Sequence, residues 1–185
     1  MLQKIKSKYI LKNFFTFVDE KNKLDIIKYN KNMQNILDIS LINYKTFSGK
    51  YILYGKNGKG REYNYDDKLL FEGEYLNRKR NGKGKEYDNK GNLMFEGEYL
   101  NGKRNGKGKE YYSYNGKLEY EGEYLNGKKH GKGKEYEEYE DDLLIFEGEY
   151  QYGSKFNGKE KKYMYGLLVS ESEYVNGVLI EKNIK

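Results

Sequence analysis

The side chains with the most evident chemical potential in this chain are basic, and they come in short runs. Arg78, Lys79 and Arg80, then Lys103 and Arg104, then Lys128, Lys129 and His130, each lie just after a Glu-Tyr-Leu-Asn tetrapeptide. Cations gathered in turns attract anions, so this set predicts a ridge facing anionic lipid headgroups or an acidic protein surface. Lys83, Lys85, Lys107, Lys109, Lys132 and Lys134 are expected to reinforce it. Asp66, Asp67, Asp88, Glu137, Glu138, Glu140, Asp141 and Asp142 fall in the intervening stretches and predict an acidic edge on the other side. Net charge is only +6 because 35 basic residues offset 29 acidic ones, which is compatible with two edges of opposite sign.

Other chemistries find less support in the residue types. With no cysteine there is no thiol nucleophile, Cys-ligated zinc or disulfide framework. The single histidine, His130, stands where Asn81 and Asn105 stand in sister segments, which reads as a turn residue. Glutamate pairs such as Glu96 and Glu98 recur copy after copy, whereas acid and base roles need one asymmetric pocket that separates two pKa values. The Gly-Lys-Gly-Lys element lacks the Gly-x-x-x-x-Gly-Lys-Ser/Thr spacing of a phosphate-binding loop. No catalytic group, cofactor or metal is expected. Nucleic acid is disfavoured as a partner, because glutamates share the open strand face with the lysines and phosphate would meet a mixed field.

The basic runs are placed by a repeat. Phe95-Glu96-Gly97-Glu98-Tyr99 returns at Phe71, Tyr120 and Phe146, with weaker copies at Phe47 and Ser170. The glycine-type marker falls at positions 49, 73, 97, 122, 148 and 172, spacings of 24, 24, 25, 26 and 24. Gly-Lys-Gly follows in step from Gly58, Gly82, Gly106 and Gly131, with a decayed Gly158-Lys159-Glu160. A period of this size signals small supersecondary units that stack to bury a shared core.

Each unit reads as two strands. Phe95, Gly97 and Tyr99 alternate with Glu96 and Glu98, and the Gly-Lys-Gly-Lys stretch alternates likewise. Asn101 to Asn105 supplies turn formers, and Asp88 to Asn92 a return turn. One antiparallel register sets Glu98 opposite Lys109 and Tyr99 opposite Gly108. Gly73, Gly82, Gly84, Gly97, Gly106, Gly108, Gly122, Gly131, Gly133 and Gly148 are then repeat positions, as are Tyr75, Tyr99, Tyr124 and Tyr150. Two aromatics and a leucine or two per unit are counted as the buried apolar set. The fold expected is mainly β, a twisted single-layer meander of antiparallel hairpins over residues 47–185.

The unit Tyr/Phe-Glu-Gly-Glu-Tyr-Leu-Asn-Gly-Lys-x-x-Gly-Lys-Gly resembles the MORN repeat, in about six copies across residues 47–177. The resemblance implies a non-catalytic scaffold that associates with a protein partner, with phosphoinositide binding claimed for some members. It also admits an antitoxin-like role, in which bacterial proteins with similar repeats have been classed. The family often has Trp where this chain has Tyr75, Tyr99, Tyr124 and Tyr150.

Residues 1–46 follow another rule. Ile10, Phe14, Phe17 and Val18 share a helical stripe, and Leu24 and Ile27, then Met33, Ile36 and Leu37, predict two further short helices. They are expected to form a small α-helical cap on the first hairpin. The same segment resembles an F-box-like helical motif, which implies an adaptor for ubiquitin-ligase machinery with the repeats selecting a target. The absence of a signal-peptide pattern points to a cytoplasmic protein, peripheral at a membrane if the ridge binds lipid. An open last strand leaves self-association as a further expectation.

Overall fold

The computed structural model describes residues 49–55, 57–139 and 143–182. The cap and the F-box-like segment expected for residues 1–46 lie outside them.

Asn-Gly closes several of the hairpins in two residues. Asn101 and Gly102 take φ 52° and 87°, and Asn126 and Gly127 take 52° and 89°. Both central residues are left-handed, which suits the type I′ turn whose twist matches that of the flanking strands. The next strand therefore begins at Lys103, earlier than a turn over Asn101 to Asn105 would allow, and Arg104 and Asn105 belong to a strand.

Twelve strands result: β1 Lys50–Tyr54, β2 Lys59–Asn64, β3 Leu69–Leu76, β4 Lys79–Tyr87, β5 Leu93–Leu100 and β6 Lys103–Tyr111, followed by β7 Leu118–Leu125, β8 Lys128–Tyr136, β9 Leu144–Gln151, β10 Ser154–Met164, β11 Leu167–Val175 and β12 Val178–Lys182. They form one open antiparallel sheet in sequence order. The described residues fall into two compact units, 49–52 with 62–68, and 53–61 with 69–182. In the first, Tyr51 stacks on Tyr63 at 5.3 Å, its hydroxyl donates to Asp67, and Lys50 pairs with Glu62 at 2.8 Å.

In the second unit the hairpin register differs from the one expected. Glu96, not Glu98, lies opposite Lys109, Gly97 lies opposite Gly108, and Tyr99 lies opposite Arg104. A bulge between the Gly97 and Tyr99 positions shifts the pairing, and Gly106 in that bulge takes φ 97°. The same offset recurs in β3–β4 and β7–β8.

The overlying rings explain the paired glycines. The Phe95 ring lies over Gly97 and Gly108, where an added Cβ would stand 2.7 and 2.5 Å from the ring's Cζ. Phe71 covers Gly73 and Gly84 in the same way, and Tyr120 covers Gly122 and Gly133. The rings of Tyr75, Phe71, Tyr99, Phe95, Tyr124, Tyr120, Tyr150, Phe146 and Tyr174 then make an unbroken edge-to-face row, with neighbouring centroids 5.1 to 5.8 Å apart. Each unit's first aromatic touches its own tyrosine and the next unit's, so the core is continuous and no unit owns a separate one. Phe71, Phe95, Tyr120 and Phe146 are fully buried. Leu76, Leu100 and Leu125 are 59%, 50% and 42% exposed, because the strand pleat turns the residue after each ladder tyrosine to the opposite face.

Candidate interaction surface

The basic residues separate by parity along their strands. Arg80 and Arg104 lie opposite Tyr75 and Tyr99, on the ring face, and Lys129 lies opposite Tyr124. The guanidinium of Arg80 sits 4.1 Å above the Phe71 ring centre, that of Arg104 4.0 Å above Phe95, and the Lys129 ammonium 4.1 Å above Tyr120. All three are bound into ion pairs. Arg80 meets Glu86 at 2.7 Å, Arg104 joins Glu86 at 2.6 Å and Glu110 at 2.5 Å, and Lys129 joins Glu110 and Glu135 at 3.3 Å each. Lys155 continues the line to Glu135 and Glu160. Opposite charges thus alternate along the aromatic row and roof it over. The Lys155 and Lys129 cations outweigh the burial of Glu135 and hold its carboxyl below the ordinary range.

These three cations therefore leave the expected ridge. What remains at the turns is Arg78, Lys79, Lys103 and Lys128, all exposed. Lys79, Lys103 and Lys128 lie opposite Leu76, Leu100 and Leu125, so each hairpin end presents one leucine and one lysine on the same face. Successive ends are adjacent. The Gly102 amide donates to the Arg80 carbonyl and the Gly127 amide to that of Arg104, both at 2.8 Å, bringing each turn beside the lysine of the turn before. The tyrosine-leucine step is visible in three copies, at Tyr75, Tyr99 and Tyr124, but only the pleat reveals that its leucine is exposed.

Three of the six reinforcing lysines are neutralised by ion pairs. Lys85 pairs with Glu96 at 3.1 Å, Lys109 with Glu121 at 3.5 Å and Lys134 with Glu147 at 3.3 Å. Lys83, Lys107 and Lys132 lie directly opposite Glu98, Glu123 and Glu149. The Tyr111 hydroxyl donates to Glu96 at 2.7 Å and, with Lys85, holds that carboxyl low; Tyr136 and Lys109 do the same for Glu121. Burial and the bond to Glu72 push the Tyr87 phenol up to about 12.

On the acidic side, Asp88 is spent on its own turn, accepting from the amides of Lys90 and Asn92. Glu137 accepts from the Tyr139 amide at 2.6 Å. Asp66 and Asp67 belong to the other unit, and residues 140–142 lie outside the described set. His130 sits half-buried 5.9 Å from the Tyr152 ring, with Nδ1 buried and unpartnered. Among the described residues, no cluster of three or more His, Asp or Glu is placed to hold a metal ion, and no helix is long and apolar enough to cross a membrane.

A tandem array of β-hairpins sharing one aromatic row, with side chains displayed on an open face, defines a repeat protein. Within it, the family model of the MORN repeat matches residues 71–93, 95–113 and 120–136, so this stretch consists of three MORN repeats inside the longer array. MORN repeats are in general modules that bind proteins or membranes. A comparison with curated proteins finds no match to the chain.

Proposed function

We propose that this chain is a non-catalytic scaffold that docks peripherally on an anionic membrane surface through its hairpin ends, at the cytoplasmic leaflet, where acidic lipids concentrate. One observation carries the reading: Lys79, Lys103 and Lys128 stand opposite Leu76, Leu100 and Leu125 on one face, in adjacent turns. Lysines near an anionic leaflet contribute about 1 kcal/mol each, and leucines beside them add apolar insertion at the headgroup level. An acidic protein surface would satisfy the lysines but would leave the leucines unused. On the rest of the face Lys85, Lys109 and Lys134 are held in ion pairs, and Lys83, Lys107 and Lys132 lie opposite glutamates.

Vesicle sedimentation of the full chain tests this. The expected result is co-sedimentation with phosphatidylserine-containing vesicles, none with neutral ones, and loss of binding in Lys79→Glu/Lys103→Glu/Lys128→Glu. Replacing Leu76, Leu100 and Leu125 by serine is expected to weaken binding to the same vesicles. Equal behaviour on neutral and anionic vesicles at physiological salt defeats the proposal.

A further inference from the structure

A tyrosine covers the glutamate of the charged face in three successive units. The hydroxyls of Tyr87, Tyr111 and Tyr136 donate to Glu72, Glu96 and Glu121 at 2.9, 2.7 and 2.8 Å, and those glutamate side chains are 35 to 36% exposed. Glu147 is the next glutamate in the series, and no tyrosine covers it. Among the described residues it is joined only to the Lys134 ammonium, at 3.3 Å, and its side chain is 57% exposed.

The cause lies at one position. Asn157-Gly158-Lys159-Glu160-Lys161-Lys162-Tyr163 repeats Asn105-Gly106-Lys107-Gly108-Lys109-Glu110-Tyr111 with Glu160 in the place of Gly108. That place has no room for a side chain, since a Cβ on Gly108 would stand 2.5 Å from the Phe95 ring. β10 is therefore displaced along β9, and Gly158 instead of Glu160 lies opposite Gly148 beneath the Phe146 ring. The displacement puts Lys159 opposite Glu147, as Lys109 is opposite Glu96, so Lys161 stands where Tyr111 stands. Tyr163 is carried past, to pair with Leu168 of β11.

What is left is a groove of about 400 Å³, open on one side and lined by Leu144, Ile145, Glu147, Lys159, Lys161 and Glu173. Among the described residues neither Lys159 nor Lys161 is held in an ion pair, although Lys159 lies opposite Glu147 and Glu173, and Lys161 opposite Glu171. We propose that this groove receives the tyrosine side chain of a partner protein, from an extended segment with an acidic residue beside that tyrosine. The ring takes the place that Tyr87, Tyr111 and Tyr136 fill in the other units, and its hydroxyl donates to Glu147. The neighbouring carboxylate meets the unpaired Lys161.

Two features select this occupant. A groove open on one side covers only part of what it holds, whereas a free small ligand needs most of its surface buried, so the ring has to be delivered by a chain that makes contacts on either side of it. A buried tyrosine is also the kind of anchor that carries interface energy. A phosphorylated tyrosine is the wrong group: it has no phenolic proton for Glu147 to accept, and it sets negative charge against Glu147 and Glu173.

Heteronuclear NMR of the full chain titrated with the peptide Gly-Glu-Tyr-Glu-Gly tests this. Amide shifts are expected at Glu147, Lys159, Lys161 and Glu173, and the same peptide with phenylalanine for tyrosine is expected to bind about tenfold more weakly, having lost one hydrogen bond to a charged acceptor. Lys161→Tyr supplies the missing ring from within, and is expected to keep the circular dichroism spectrum while abolishing the shifts. The absence of shifts in the wild type, equal binding of the phenylalanine peptide, undiminished binding by Lys161→Tyr, or tighter binding of the phosphotyrosine peptide overturns the assignment. So does 3-(4-hydroxyphenyl)propionate binding as tightly as the peptide, which would make the occupant a free phenol. Should Lys161→Tyr fail to fold, the contrast between the tyrosine and phenylalanine peptides on the wild type decides alone. Loss of peptide binding leaves the vesicle-binding proposal standing, since that rests on the leucine and lysine pairs of β3 to β8.

Discussion

Arg104 and Phe95 form the repeating joint of the array: the guanidinium carbon stands 4.0 Å from the ring centre while two carboxylates, Glu86 of the preceding hairpin and Glu110 of its own strand, hold it there. A cation over a ring adds up to about 2 kcal/mol when desolvated, and this one also cancels two half-buried negative charges. Arg104→Ala is therefore expected to destabilise the fold by about 2 to 3 kcal/mol, more than the ring contact alone, because Glu86 would keep only Arg80 and Glu110 only Lys129 as cationic partner. Arg104→Lys should cost less than half as much, since Lys129 fills the equivalent place in the next unit. Chemical denaturation of the two variants measures the difference.

Glycine substitutions should split into two classes. A Cβ on Gly97 would lie 2.7 Å from the Gly108 Cα and 2.7 Å from the Phe95 ring, so Gly97→Ala must move either backbone or core and is expected to cost about 3 kcal/mol. Gly91 takes φ 91° in a return turn with nothing within 4 Å of an added Cβ, and Gly91→Ala should cost only the left-handed strain, about 1 kcal/mol. Thermal melts of the pair give the ratio.

His130 interrupts a strut that the other units keep. Asn81 accepts from the Asn101 amide at 3.3 Å, Asn105 from that of Asn126 at 3.3 Å and Asn157 from that of Asn176 at 2.9 Å, whereas the His130 Nδ1 is buried without a partner. His130→Asn is expected to restore the bond and stabilise the chain by about 1 kcal/mol. A lower denaturation midpoint in that variant counts against the strut.

Acid and alkali should act on different parts of the array. The Glu96 and Glu121 carboxyls are held low by Tyr111 and Tyr136 and then by lysines, so they stabilise the fold above the ordinary glutamate value of about 4.3, and that contribution disappears as pH falls through their folded values. Glu119 is the opposite case: burial and then Glu110 push its carboxyl up, so it penalises folding once pH exceeds the ordinary value. Glu119→Gln is expected to stabilise by about 0.5 kcal/mol at pH 7 and by nothing near pH 3. The Tyr99, Tyr124 and Tyr150 phenols are raised by burial and then by Glu86, Glu110 and Glu135, so stability is present below about pH 10 and lost as pH climbs beyond it. Their phenolate absorbance should appear together with unfolding, after the exposed tyrosines have titrated.

The repeat period, the number of hairpins and the division of each strand into a ring side and a charged side were legible in the sequence, because all three depend on local spacing: Asn101-Gly102 closes a hairpin wherever it lies between alternating strands. Tertiary structure decided the register. The bulge at Gly106 sets Tyr99 opposite Arg104, and that offset places Arg104 over the Phe95 ring while Lys103, one residue earlier, points to the other face beside Leu100. A list of basic residues in a turn contains no such information, since neighbours in a strand diverge to opposite faces and only the cross-strand partner fixes which face is which.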